Sequence, residues 1–265
     1  MIISDTHKFV FIHIPKCAGT SVRKALLPFD EKTIKSGREK HPIFGLFDYN
    51  HIPLSTLRNF FPEEYKKVRT YHSFSIVRDP FARFSSSLGQ RMKSHKKRKL
   101  SQMTSKEVKK EVDQTIKLLL KHKNAEILPA ELIHFQKQKS YIYDGESVLI
   151  DSIYHVGQLK RLFVDLEKKM HIGLNFRSAY KQFNKSKPVY RNELLRQLDQ
   201  KTVLTRRMLM SYIPKYPKQV LKSMFKIHPK KLHVFQSDYV VDFIHEFYHE
   251  DIALHNRLAE REQLQ

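Results

Sequence analysis

The chain has 265 residues, 40% of them hydrophobic, enough for the core of one large domain. No apolar run reaches the ~20 residues that cross a bilayer, and a single cysteine, Cys17, excludes an internal disulfide framework and a cysteine-based metal cluster. Forty-nine Lys and Arg against 27 Asp and Glu leave a formal charge of +22, which attracts polyanions and by itself selects none of them.

Residues 9–14, FVFIHI, are rich in β-branched and aromatic side chains and predict a strand buried on both faces, closed by Pro15. In the turn that follows, Lys16 supplies a cation and Gly19 lets the backbone approach a ligand closely. Thr20 and Ser21 place hydroxyls at the start of a short helix over 20–27, which Pro28 ends. The helix start presents unpaired N–H groups and a positive dipole end, a ready site for phosphate. Residues 30–49 read as a polar connection without assigned structure. A helix begins near Pro53 with Leu54, Leu57 and Phe60/Phe61 at helical spacing, and Pro62 opens a further turn of helix. Residues 73–77 predict a second buried strand with Arg78 at its C-terminal end. Pro80 suits the first turn of the next helix, where Phe81, Phe84, Leu88 and Met92 form an apolar stripe reaching to about Lys93.

Residues 91–99, RMKSHKKRK, concentrate positive charge, and a solvated helix end is preferred there over a dedicated polyanion groove. An amphipathic helix is expected over 104–122 and a short one over 129–136. Residues 141–143 and 148–150 flank an Asp144-Gly145 hairpin signal. A third core strand over 152–156 precedes a helix over 158–170. Beyond the polar stretch 180–190 come helical segments, ending in one helix from Asp238 toward Leu258. Strands alternating with helices predict an α/β fold with a parallel sheet, and residues 1–265 are expected to form one domain.

Two predicted strands end in groups suited to phosphate, at Lys16 to Ser21 and at Arg78. Ligands of open parallel sheets collect outside the carboxyl ends of the strands, so both groups should face one crevice. The P-loop pattern GxxxxGK[ST] is not matched, because Lys16 precedes Gly19 and no glycine opens the turn. A nucleotide kinase of P-loop ancestry would also need an acid for magnesium, and only Asp79 lies near a strand end. A basic nucleic-acid-binding protein is the third reading, resting on residues 91–99, although no recognisable reader motif accompanies them.

The string HIPKCAGTS, residues 13–21, resembles the 5′-phosphosulfate-binding loop of the sulfotransferases, and SFSIVRDPFARFSSSL, residues 73–88, resembles their 3′-phosphate-binding motif. The likeness is to the carbohydrate branch that includes the heparan 2-O-sulfotransferases and their bacterial relatives. It implies a P-loop-like three-layer fold, with a central, mainly parallel sheet flanked by helices and a helix-rich C-terminal part. It also implies 3′-phosphoadenosine-5′-phosphosulfate as co-substrate, without a metal. By the resemblance Lys16, Cys17, Ala18, Gly19, Thr20 and Ser21 form the 5′-phosphosulfate loop, while Arg78 and Ser86 hold the 3′-phosphate. QFNKSKP, residues 182–188, resembles the segment that closes over the nucleotide, adding Lys185 and Ser186.

Sulfonate transfer needs a base for the acceptor hydroxyl and a donor for the departing phosphate. Lys16 is the donor implied. For the base, His51 in NHIPLS matches the family's histidine between the two nucleotide motifs, with His41 and Glu39 as alternatives in the same interval. Cys17 beside Lys16 at a helix start also admits a nucleophile reading, although direct transfer requires none. Phe44, Phe47 and Tyr49 could line an acceptor cleft or pack beneath the polar connection. The expected acceptor is a glycan, acidic in view of the charge. The lone cysteine, and no signal-peptide pattern ahead of the first strand, suit a bacterial-type cytoplasm with peripheral contact at the inner membrane surface left open.

Overall fold

The computed structural model describes residues 1–170 and 233–263, with residues 189–190, 194, 197 and 226–227 between them. The chain opens with β1 (Ile2–Ser4), a strand too short to leave a sequence signal, antiparallel to β2 (Phe9–Ile12). All seven of their residues are buried, as the unbroken apolar run of β2 predicts. After Pro15 the chain turns into α1 (Gly19–Leu26), which buries Val22 and Leu26.

The stretch left unassigned at 30–49 contains a hairpin, β3 (Arg38–His41) paired with β4 (Gly45–Asp48). Its outer strand, REKH, carries no buried residue, so no alternation of apolar and polar side chains marks it in the sequence. Next come α2 (Leu54–Phe60) and α3 (Pro62–Thr70), each starting at the proline expected to open it, Pro53 as the cap and Pro62 as the first residue.

β5 (His72–Val77) leads into α4 (Pro80–His95), whose start is capped by the Asp79 carboxylate accepting from the N–H groups of Phe81 and Ala82. α5 (Ser105–Lys121) begins with a reciprocal cap between Thr104 and Glu107. The helix expected over 129–136 is absent. Turns and one 3-10 turn, Ile133–Phe135, stand in its place, and the carbonyls of His134, Phe135 and Gln136 accept side-chain hydrogen bonds instead of helical ones.

The two-residue strands β6 (Tyr143–Asp144) and β7 (Ser147–Val148) form the predicted hairpin around Gly145, whose φ of +61° suits glycine. β8 (Ser152–His155) and α6 (Leu159–Met170) follow. The single helix expected from Asp238 is two, α7 (Asp238–Phe247) and α8 (His249–Gln263). The break falls at Tyr248, whose hydroxyl donates to Phe135 O at 2.8 Å.

The central sheet runs in the order β1-β2-β5-β8, with β2, β5 and β8 parallel and β1 antiparallel at the edge. It is an α/β sheet, mostly parallel and flanked by helices, as expected. Ile12 pairs with Ser75, so the carboxyl ends of β2 and β5 lie side by side and deliver Lys16 and Arg78 to one edge. One apolar cluster surrounds the sheet, and a second lies between α4, α5, α7 and residues 128–135. Among the described residues, no helix is long and apolar enough to cross a membrane.

Candidate active site

A cleft of about 320 Å³ opens at the carboxyl edge of β2 and β5, lined by Lys16, Gly19, Thr20, Ser21, His51, Arg78 and Ser86. These seven residues, chosen from sequence and spread over 71 positions, therefore converge on one place. Ala18 also lines it, together with four residues that sequence reasoning missed: His13, Gln90, His134 and Val156. Among the described residues no carboxylate lines the cleft.

The loop after β2 has an unusual backbone. Lys16 and Ala18 both have positive φ, 66° and 60°, a left-handed conformation that non-glycine residues seldom adopt without a local reason. Ala18 in this conformation followed by helical Gly19 turns successive N–H groups toward one concavity, the geometry of an anion nest. The N-terminus of α1 has no side-chain cap, so the cleft receives its dipole end directly.

Gly19 is required by packing. A Cβ built there would meet His13 Cδ2 at 2.1 Å and Nε2 at 2.3 Å. The His13 ring is buried, stacked 5.7 Å from Phe11 and packed edge-on 4.5 Å from His51. Gly19→Ala is accordingly expected to displace the ring and the nest together, lowering affinity for an adenosine 3′,5′-bisphosphate at least tenfold in a calorimetric titration. Wild-type affinity in that variant would show that the close packing is dispensable.

Cations dominate the cleft. Lys16 Nζ donates to Gln90 Oε1 at 3.2 Å, and burial, with Arg78 and Lys93 nearby, lowers its pKa to about 8. Arg78 Nη1 donates to Lys16 O at 3.0 Å, so the second motif braces the loop of the first. Burial lowers the Arg78 pKa as well. Two partly buried cations held together without a carboxylate make a site that an anion stabilises and neutral water does not. Gln138 links the backbone at Arg78 to the loop after β2. Its side chain accepts from Arg78 N and donates to Arg78 O, both at 2.9 Å, and accepts from the Cys17 thiol at 3.2 Å.

His51 closes the opposite side. Its Nδ1 lies 2.8 Å from His13 O. A carbonyl can only accept, so the proton sits on Nδ1 and Nε2 carries the lone pair. Burial lowers the His51 pKa to about 4, with Asp48 opposing the shift. His13 packs edge-on at 4.5 Å and His134 at 5.6 Å between ring centroids. Both are neutral for the same reason, His13 well below the usual imidazole range and His134 near about 2. The turn before His51 is held by Asp48, which accepts from Asn50 N at 3.1 Å and from Arg38 Nε at 3.1 Å.

Several expectations change. The Cys17 thiol points away from the cleft, is fully buried, and has its pKa pushed up by burial to about 11. Cys17 therefore neither faces a ligand with its side chain nor serves as a nucleophile. His41 lies among Phe44, Phe47 and Phe60, and its Nδ1 accepts from the N–H groups of Ile43 and Phe44. Glu39 pairs with Lys35 on the surface. Neither His41 nor Glu39 lines the cleft. Phe47 and Tyr49 belong to the apolar core, with Phe44 packed against it. Asp79 is committed to the α4 cap, where the kinase reading needed it for magnesium.

The basic run 91–99 is split by the fold. Arg91 is buried in contact with Glu131 and Glu111, whereas Arg98 pairs with Glu107 at the surface. Lys185 and Ser186 lie outside the described residues.

Arg83, one helical turn beyond Asp79, faces the interior. Its guanidinium donates to Pro15 O at 3.1 Å, His134 O at 3.2 Å and Gln136 O, with Asp251 Oδ2 at 3.9 Å. Asp251 in turn accepts from the N–H groups of Gln138 and Lys139 at 2.8 and 2.9 Å. This buried network ties the loop after β2 to α4, residues 134–139 and α8. Nothing in its local sequence separates Arg83 from a surface arginine.

A family model described as "Sulfotransferase family" matches residues 1–256. Carbohydrate sulfotransferase 10 of Homo sapiens is 33% identical over 87 residues, which are 32% of this chain and 24% of that relative. The chain thus spans about a quarter of the length of the curated relative it matches. No solved structure matches.

Proposed function

The chain belongs to the sulfotransferase family, and on that premise we propose that it transfers a sulfonate group from 3′-phosphoadenosine-5′-phosphosulfate to a hydroxyl of a glycan. The observation that carries this reading is the convergence of Lys16, Gly19 to Ser21, His51, Arg78 and Ser86 from separate elements on one cleft. The cleft suits such a donor in three respects: a backbone nest beside an uncapped helix start, two cations without a carboxylate, and a glycine that a side chain would fill.

Each residue has a defined task in this proposal. The N–H groups at the start of α1 and the Lys16 ammonium hold the 5′-phosphosulfate, and Arg78 and Ser86 hold the 3′-phosphate. A bound anion returns the Lys16 pKa upward from about 8, so the lysine stays charged where it is needed. His51 Nε2 takes the proton of the acceptor hydroxyl as the oxygen attacks sulfur in line. The bond from sulfur to the 5′-phosphate oxygen breaks, and Lys16 stabilises the charge that this oxygen gains. Lys185 and Ser186 are proposed as further phosphate contacts.

The acceptor proposed is anionic. Lys93 stands close enough to act electrostatically on Lys16, a cation beyond those assigned to the donor's two phosphates, whereas Arg38 is engaged by Asp48. A single domain over 1–265 and a cytoplasmic location suited to one buried thiol complete the proposal.

Titration calorimetry with 3′-phosphoadenosine-5′-phosphate tests the assignment. The wild type is expected to bind it at least tenfold more tightly than AMP, and Arg78→Ala to lose that preference, because Arg78 reads the 3′-phosphate. Equal affinity for AMP, or none for either nucleotide, overturns the reading.

A further inference from the structure

We infer that the tip of the β3–β4 hairpin is a membrane-docking element that seats in the interfacial region of a bilayer containing anionic lipid. The turn of the hairpin carries the sequence PIFGLF, where a polar turn would be ordinary. Ile43 is 66% exposed and Leu46 is 51% exposed, and Phe60 at the end of α2 extends the same surface at 39%. Phe44 joins them, its ring 4.8 Å from Phe60 and 4.9 Å from Phe47.

The tip is backed by packed rings. Phe47 stacks toward Phe61 and meets Tyr49 edge-on at 4.9 Å, and both Phe47 and Tyr49 are buried. Aliphatic side chains on a firm support therefore point outward without reaching the protein's own core. The surface they make is the end of a two-stranded turn, and Gly45 at its centre, φ +64°, has nothing within 4 Å of a would-be Cβ. An exposed apolar projection of this kind inserts readily between lipid headgroups.

Charge selects the lipid. Lys40 is exposed one residue from the end of β3, Glu39 beside it is already paired with Lys35, and the whole chain carries +22. Apolar side chains with Lys40 behind them, on a chain of strong positive charge, match an anionic surface.

The position of the hairpin gives docking a consequence, which rests on the sulfotransferase reading above. β4 ends at Asp48, and His51 N donates to Asp48 O at 3.0 Å. The tip is therefore about 10 Å of strand away from the turn that carries the base. A bilayer held at the tip lies within a short strand of the turn that carries His51, so a lipid-linked glycan is the acceptor class that docking favours.

Cosedimentation with vesicles of phosphatidylcholine, with and without phosphatidylglycerol, tests the inference. The wild type is expected to bind the anionic vesicles, and the double substitution Ile43→Asn/Leu46→Asn to weaken that binding at least tenfold. The same variant should keep its melting temperature and its affinity for 3′-phosphoadenosine-5′-phosphate. Because the chain has no tryptophan, Leu46→Trp supplies a second readout: its emission should shift to the blue on anionic vesicles. Absence of wild-type binding, binding that survives the double substitution, or an unshifted Leu46→Trp spectrum each overturns the proposal. So does a concentration-dependent dimer that the double substitution abolishes, since a second copy would then cover the tip. Nucleotide binding is measured apart from vesicle binding, so failure of the donor assignment leaves the docking result readable.

Discussion

His51→Asn is expected to reduce kcat by about 10²–10⁴-fold, the usual contribution of general-base catalysis, with unchanged affinity for 3′-phosphoadenosine-5′-phosphate. Asparagine retains a donor where Nδ1 meets His13 O, so the turn after β4 stays in place, but it has no lone-pair nitrogen to accept the acceptor's proton. Steady-state rates beside nucleotide titrations measure both quantities. An active His51→Asn enzyme would remove this residue from the mechanism, and loss of nucleotide affinity would make it a structural residue of the donor site.

The pH dependence follows from the same environment. His51 is held neutral down to about pH 4, so kcat/KM of the free enzyme should decline on the acid side well below the ordinary imidazole range. Folding changes in an overlapping window. His13, His51 and His134 have folded pKa values below the ~6.5 of an unfolded histidine, so as pH falls below that value the unfolded chain takes up protons first. Stability contributed by the neutral rings is thus full above about pH 6.5 and is lost toward the folded pKa values, at about 1.4 kcal/mol per proton per pH unit. Acid denaturation followed by circular dichroism separates this loss from the catalytic limb.

Arg83→Met is expected to destabilise the fold by about 3–5 kcal/mol, the cost of leaving a buried charge and its acceptors without a partner. In a chain of this size that corresponds to a fall in Tm on the order of 10 °C. The substitution leaves the carbonyls of Pro15, His134 and Gln136 without the guanidinium donor and leaves Asp251 facing an apolar side chain. Burial already raises the Asp251 pKa, with Arg83 opposing that shift. Arg83→Met/Asp251→Asn should not recover the loss, because Gln138 N and Lys139 N each donate to one carboxylate oxygen and an amide nitrogen cannot accept in place of either. Thermal unfolding of the two variants is the measurement, and a wild-type Tm in Arg83→Met would show that the network contributes nothing. Arg83→Lys should not rescue, since one ammonium cannot reach the separate carbonyls that the planar fork spans.

The contrast between Arg78 and Arg83 shows what local sequence can reveal. Arg78 stands at the end of a strand marked by Phe74, Ile76 and Val77, so its place at the sheet edge follows from chain direction and strand length. Arg83 lies five residues on in a helix, and its inward orientation depends on segments more than 50 residues away in the chain. The hairpin at 38–48 was hidden for a related reason: its outer strand, REKH, has no buried apolar residue, so no buried face is written into its alternation. Tyr248 shows the same effect in the last helix, where nothing local marks the break that its contact with Phe135 accompanies.

His51 illustrates the boundary within the site. The family resemblance nominates it among fifteen histidines, with His41 in the same interval, but which ring nitrogen is unprotonated depends on a carbonyl 38 residues earlier. Its neutrality likewise comes from burial against His13 and His134, a property of the assembled cleft.

The sulfotransferase resemblance nominated Ser86 and a phosphate role for residues 16–21 and Arg78; by itself the sequence determined the order of the main strands and helices and the place of both groups at strand ends. Those features depend on contiguous residues, through apolar periodicity, helix starts and turn chemistry. Only the tertiary structure decided that the Cys17 thiol is buried, that Gly19 is compelled by His13, and that Arg83 and Asp251 form a brace. It alone brought His134 and Gln90 to the cleft and left Ile43 and Leu46 bare. Burial, and with it the cost of a charge or an exposed methyl group, is a property of what surrounds a residue in space, and distant parts of the chain supply most of those surroundings.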